Sequence, residues 1–309
     1  QAGNFDNFSG ATGTDEVRLG HTAGGGNNVA IDDLWYRTKL GDSMTFFVGT
    51  NGLDWDNVFD VVNPYLASGG SGALSRFGRR NPAVYRAEEG AGVALSVDLS
   101  DSLAITAAYL ADDGDAPNSS PSQGVFNGDY GAGAQIDFTP SDDFHLAFTY
   151  LHTYSDSPNL NGSTGSDLAQ DPFGSSTKTS GDHFGLQAFA QVSDGFALAG
   201  WAGLISANNV DDSDQDSTIF NWALNAAFPD LGGDGNLGAL IVGQTPRVTD
   251  GNDGAGEDED ATFHIEAMYR IRLTKGIDIT PGVIWLINPE ADDDNADIVV
   301  VAVRTRFKF

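Results

Sequence analysis

Residues 262–273 read TFHIEAMYRIRL, and the order of these side chains decides the fold. Phe263, Ile265, Ala267, Tyr269, Ile271 and Leu273 fall on one face of an extended chain, and His264, Glu266, Met268, Arg270 and Arg272 on the other. A strand points successive side chains to opposite sides, so this stretch is a ribbon with one apolar and one polar face. The split recurs at 93–99, 130–138 and 144–150. In the last of these Phe144, Leu146, Phe148 and Tyr150 oppose His145, Ala147 and Thr149.

Working outward from these segments, the periodicity predicts strands near 14–22, 28–40, 43–50, 84–99, 102–112, 127–138, 143–154, 182–193, 195–206, 216–228, 236–248, 260–273, 276–288 and 297–309, with a partial strand at 1–5. Their connections alternate in length. Short turns fall at Gly41-Asp42, Ser100-Asp101, Pro140-Ser141-Asp142, Ser193-Asp194-Gly195 and Lys275-Gly276, with an intermediate one from Pro229 to Asn236. Long polar loops fall at 51–83, 113–126, 155–181, 207–215, 249–259 and 289–296. Short turns at one end and long loops at the other are the pattern of an outer-membrane β-barrel, whereas a sandwich does not sort its connections this way. The last segment, DIVVVAVRTRFKF at 297–309, alternates Val299, Val301, Val303, Thr305, Phe307 and Phe309 with Arg304, Arg306 and Lys308. It closes on the aromatic-x-Phe pattern read by barrel-insertion machinery. The expected fold is therefore all-β, a transmembrane antiparallel β-barrel.

Composition narrows the class further. The chain has 309 residues, 44 acidic and 15 basic, for a formal net charge of -29. That balance argues against nucleic acid as a partner, which needs clustered Lys and Arg. A hydrophobic content of 40% argues against disorder. The absence of Cys fits export through an oxidising compartment. No stretch approaches the ~20 apolar residues of a spanning helix, which leaves a barrel open because its strands need only ~10. Gln1 opens without a basic or apolar leader, so the chain reads as a mature or truncated form.

The runs NVAIDDLWYRTKLGDSMTFFVG, GVFNGDYGAGAQIDFTPSDDFHLAFTYLHTY, AFPDLGGDGNLGALIVGQTPRVT and IDITPGVIWLINPEADDDNADIVVVAVRTRFKF resemble the cyanobacterial Som-type outer-membrane porins. These group with the carbohydrate-selective, OprB-like porins and are often labelled iron-uptake porins. The resemblance spans essentially all of 1–309 and implies one porin barrel domain of sixteen strands, assembling as a homotrimer among outer-membrane lipid and lipopolysaccharide. It implies passive diffusion of small hydrophilic solutes and ions, sugars and iron among them, and no cofactor. Family members carry an upstream surface-layer-homology domain, a linker and a first strand that this sequence lacks, so peptidoglycan tethering maps to no residue here.

General porins fold the long loop at the place of 51–83 into the lumen, and this one carries Asp54, Asp56 and Asp60 in its first half and Arg76, Arg79 and Arg80 in its second. Opposed charges across a constriction set a transverse field and a size limit. Its Leu53, Trp55, Val58, Phe59, Val61, Val62, Tyr65 and Leu66 expose too much apolar area for a free surface loop, which favours insertion. Arg86 is expected near the aperture. Arg37, Arg270 and Arg304, with Glu266, are expected on the lumen wall, where closure of the barrel sets the last strands beside the first. Lumen-facing Gly131, Gly133, Ala94 and Ala104 argue for an open interior. The acidic runs at 211–214, 257–260 and 292–294 read as solvated outer faces that raise local cation concentration, not as metal sites. The five His residues are scattered over four of the expected strands, and no hydrolase or metalloprotease motif is present, so no enzyme is expected. Two other readings remain: an anchoring or receptor barrel with a largely closed lumen, and a secreted sandwich lectin with Ca²⁺ loops.

Overall fold

A computed structural model of the chain describes residues 8–20, 31–174, 177–252 and 254–308. Among the described residues thirteen strands follow one another in sequence order: β1 (Leu34–Lys39), β2 (Met44–Leu53), β3 (Gly90–Ser100), β4 (Leu103–Asp112), β5 (Tyr130–Ser141), β6 (Phe144–Ser155), β7 (Thr179–Ser193), β8 (Phe196–Asn209), β9 (Asp216–Pro229), β10 (Leu237–Gly251), β11 (Phe263–Thr274), β12 (Ile277–Ile287) and β13 (Ile298–Phe307). Each pairs antiparallel with the next in a single sheet. No pairing of β13 with β1 occurs among the described residues. The tight turns fit their backbone; Gly41, between β1 and β2, holds φ +77°, where a side chain would be strained.

The alternation read from the sequence becomes an inside and an outside. On β6, Thr149 and Thr153 are buried, while Phe148 and Tyr150 between and beside them are 46% and 38% exposed. Gln135, Gln187, Asn221, Asn225 and Glu266 are likewise buried on the inner face, and Ile136, Leu186, Leu224, Trp285, Val299, Val301 and Val303 are exposed on the outer. A water-soluble sheet does the reverse. An apolar exterior over a polar interior is stable where the outer solvent is hydrocarbon, as for a barrel in a lipid bilayer.

Two expected strand limits shift. The chain after β2 does not return to the sheet until Gly90, so 84–89, Arg86 among them, belongs to the inserted segment and not to a strand. The segment expected as a strand at 14–22 is not part of the wall in its described portion. Residues 14–20 run through the interior, making one isolated bridge, Leu19 to Ser75. Thr14, Glu16 and Val17 are all buried, and the backbone turns between Asp15 and Arg18, whose N–H donates to the Asp15 carbonyl at 2.9 Å, so the stretch packs as an interior turn and not as a wall strand. The partial strand expected at 1–5 and the ends 21–22 and 28–30 lie outside the described residues.

Candidate functional site

Residues 54–89, between β2 and β3, fold into the interior. Their apolar side chains build a core inside the sheet. Trp55, Val58, Phe59, Val84 and Tyr85 pack with Phe47, Ala94, Leu110 and Leu151 of the wall, and Val62, Leu66, Ala73 and Leu74 pack with Ala147, Phe189, Ile241 and Ile284. Trp55 and Phe59 stack with ring centroids 5.1 Å apart. Burying four such side chains contributes about 6–12 kcal/mol in transfer terms, against the entropy of ordering the segment.

The small residues of the inner wall are seats for this core. A Cβ on Gly131 would stand 2.6 Å from Cζ2 of Trp55, one on Gly185 2.3 Å from Cγ2 of Val84, and one on Gly282 2.5 Å from Cδ1 of Leu74. The expectation that Gly131 and Ala94 mark open space is corrected: the space they leave is filled by the inserted segment.

Polar wall residues fasten the segment's backbone. Arg304 donates to the carbonyls of Gly69, Gly72 and Ala73 at 2.9, 2.6 and 3.0 Å, and Arg270 donates to that of Ser71 at 2.8 Å. Glu266 accepts from the backbone N–H of Leu74 at 2.6 Å and of Ser75 at 3.1 Å. Arg270, Arg304 and Glu266 therefore face inward as the alternation predicts, but they clamp 69–75 together. Arg37 holds its guanidinium 5.4 Å from the centre of the Phe47 ring.

The charged edge of the segment gathers Asp54, Asp56, Arg76, Arg79, Arg80 and Arg86. Arg80 and Asp56 form an ion pair. Arg76 donates to the Gly162 carbonyl at 2.7 Å, Arg79 to those of Ala67 and Gly20 at 3.1 and 3.0 Å, and Arg86 to that of Arg76 at 3.1 Å. Arg76, Arg79 and Arg80 stay partly exposed, whereas Arg86 is buried. Burial, then Arg18 beside it, lowers Arg76 to about 10; burial, then Arg80, lowers Arg79 to about 10. Burial, then Asp56, raises the Asp54 carboxyl to about 6. Glu89, whose carboxylate accepts from the Trp55 N–H at 2.9 Å, rises to about 8 through burial, then Asp54. Asp60 does not join this group; it faces Asp137 and His145. Glu16, Glu88, Glu89 and Ser75 were not anticipated as site residues, though the pair of acids in RAEEG, next to an apolar stretch, is a visible signal for Glu88 and Glu89.

A curled antiparallel sheet, apolar without and polar within, and threaded by a long inserted segment, is an outer-membrane porin. The chain belongs to the carbohydrate-selective porin, OprB family, whose model matches residues 1–309. It is 34% identical over its whole length to an uncharacterised Synechocystis sp. protein and 32% identical over 99% of its length to an uncharacterised Nostoc sp. protein. It spans 59% and 55% of the length of these two relatives. Among solved structures, Pseudomonas putida OprB aligns with a TM-score of 0.57 at 11% identity, over 89% of this chain and 72% of that one. The trimer form of Vibrio cholerae OmpT aligns at 0.54 and 11% identity, over 85% and 75%. An anion-selective porin from Comamonas acidovorans aligns at 0.52 and 11% identity, over 86% and 82%. Family and fold point to a channel rather than an enzyme.

Proposed function

We propose that the chain is a passive diffusion pore for small hydrophilic solutes and inorganic ions, with Asp54, Asp56, Arg76, Arg79, Arg80 and Arg86 setting the field at its constriction. The carrying observation is the inserted segment: it turns its apolar side to the wall and keeps Arg76, Arg79 and Arg80 partly exposed beside Asp54 and Asp56. Fixed charges of both signs at a narrowing orient polar solutes and weight anions against cations. Sugars and iron salts are candidate solutes from the family's character. The reading of a closed anchoring barrel is the alternative, and the packed interior core is what favours it. Single-channel recording in a salt gradient separates the two. The Arg76→Ala, Arg79→Ala, Arg80→Ala variant is expected to conduct more and to shift its reversal potential toward cations. Unchanged conductance and reversal potential in a folded variant place the segment off the permeation path, and no conductance in the unaltered protein supports the closed barrel.

We propose further that the protein is a homotrimer in a cyanobacterial outer membrane, touching lipid and lipopolysaccharide with the rest of its outer face. An outward depression of about 660 Å³ on β6–β10, lined by Leu146, Leu186, Ala188, Gly200, Leu224 and Leu240, supports this, because small residues there let a neighbouring copy approach closely. Closed symmetric assembly is the usual solution for such a surface.

A further inference from the structure

Asp60 was expected at the constriction, yet its carboxylate turns to the wall, where one carboxylate oxygen of Asp60, one of Asp137 and a ring nitrogen of His145 all lie within 4.8 Å of one another. We infer that Asp60, Asp137 and His145 bind a first-row divalent transition-metal ion at the short-turn end of the lumen, tying the inserted segment to β5 and β6. Each ligand comes from a different element: Asp60 from the inserted segment, Asp137 from β5, His145 from β6. His145 Nε2 and Asp137 Oδ1 are hydrogen-bonded at 2.8 Å; an ion with bonds of ~2.1 Å would replace that bond at little cost in position, because neighbouring donors around it stand ~3 Å apart.

The donors are held in place before any ion arrives. Gln135 donates from Nε2 to both oxygens of Asp137, at 2.9 and 3.1 Å, and fixes the carboxylate's orientation. The backbone at Asp60 is pinned by its carbonyl, which accepts from the Tyr85 hydroxyl at 2.6 Å and from Gln135 at 2.9 Å. Outer partners that orient the ligands are what distinguish a built metal site from a chance cluster. Two carboxylates, Asp60 and Asp137, meet here, and a divalent ion relieves that crowding of like charge.

The donor set selects the metal. One imidazole with two carboxylate oxygens suits Zn²⁺, Mn²⁺, Fe²⁺ or Co²⁺, whereas Ca²⁺ and Mg²⁺ favour all-oxygen shells. Asp60 remains exposed on the lumen side, so water or a passing solute completes the shell. The site does not depend on whether the lumen conducts, and its test reads binding alone.

The test is Zn²⁺ titration of the chelator-stripped, folded chain by calorimetry in excess Mg²⁺, which screens the acidic outer loops. One Zn²⁺ per chain is expected. His145→Ala and Asp60→Asn are each expected to weaken it by at least about tenfold, and Asp292→Asn to leave it unchanged. Asp60→Asn leaves both wall strands intact, so a folding defect in a wall variant does not mask the result. Absence of saturable Zn²⁺ binding in excess Mg²⁺ overturns the proposal, as does equal affinity in the folded His145→Ala and Asp60→Asn variants.

Discussion

The hydroxyl of Ser75 donates to the carboxylate of Glu266 at 2.5 Å, joining the middle of the inserted segment to β11 across 191 residues of chain. With the two backbone N–H groups it also receives, Glu266 satisfies three donors that have no water to turn to. Glu266→Ala strips all three at once, and each buried unsatisfied group costs about 1–3 kcal/mol. Glu266→Gln keeps an acceptor and is expected to lose less. The urea midpoint of the folded protein is expected to fall in the order unaltered, Gln, Ala, with open-channel current noise rising in the same order. Identical midpoints show that Arg270 and Arg304 alone hold the segment.

Glu16 gives a pH dependence of known sign. Its carboxylate accepts from Thr245 Oγ1 at 2.5 Å, Thr262 Oγ1 at 3.1 Å and the Glu290 N–H at 2.7 Å, inside the molecule. Burial raises its pKa from 4.5 to about 7, against those hydrogen bonds. Between these values the docked state holds more protons than the unfolded one, so docking weakens as pH rises from 4.5 to about 7. The full effect is on the order of 3 kcal/mol. Hydrogen-exchange protection of the Gly20 and Arg76 amides, which bond to Leu74 and Arg18, is expected to drop over that window. Glu16→Gln is expected to flatten the drop. A pH-independent protection factor in the unaltered chain shows that the Glu16 charge does not govern docking of residues 14–20.

The outer depression makes a claim about assembly. Ala188 lies in it on the outward face of β7. Ala188→Trp fills the hollow without touching the interior and is expected to shift native mass in mild detergent from trimer to monomer, with conductance per chain retained. Trimers that survive this change meet through another face.

The wall was legible because period-two alternation follows from strand geometry and needs no partner to be known: Phe148, Thr149 and Tyr150 take the sides their order assigns. The insertion of the long connection was legible from apolar residues such as Trp55 and Phe59 that a surface loop cannot carry. The fastenings were not. That Arg304 reaches Gly72, or Glu266 reaches Ser75, depends on strands far apart in sequence meeting one segment in space, and residue type alone suggested lumen charges. Gly131 misled for the same reason, since a missing side chain looks like vacancy until the ring of Trp55 occupies it. Residues 14–20 misled because a buried turn that fills the interior mixes apolar and polar residues much as a strand does.

The bridge from Leu19 to Ser75 acquires a mechanical meaning in this setting. Glu16 is fixed to β10 by Thr245 and to the chain just before β11 by Thr262, Ser75 is fixed to β11, and the bridge joins the two. The bridge is thus hung on one stretch of wall, β10 and β11, while the same inserted segment is tied to β7 through Tyr65, whose hydroxyl donates to Gln191 at 2.7 Å. A segment fastened to several strands moves only as they move, so the width of the aperture is a property of the whole frame.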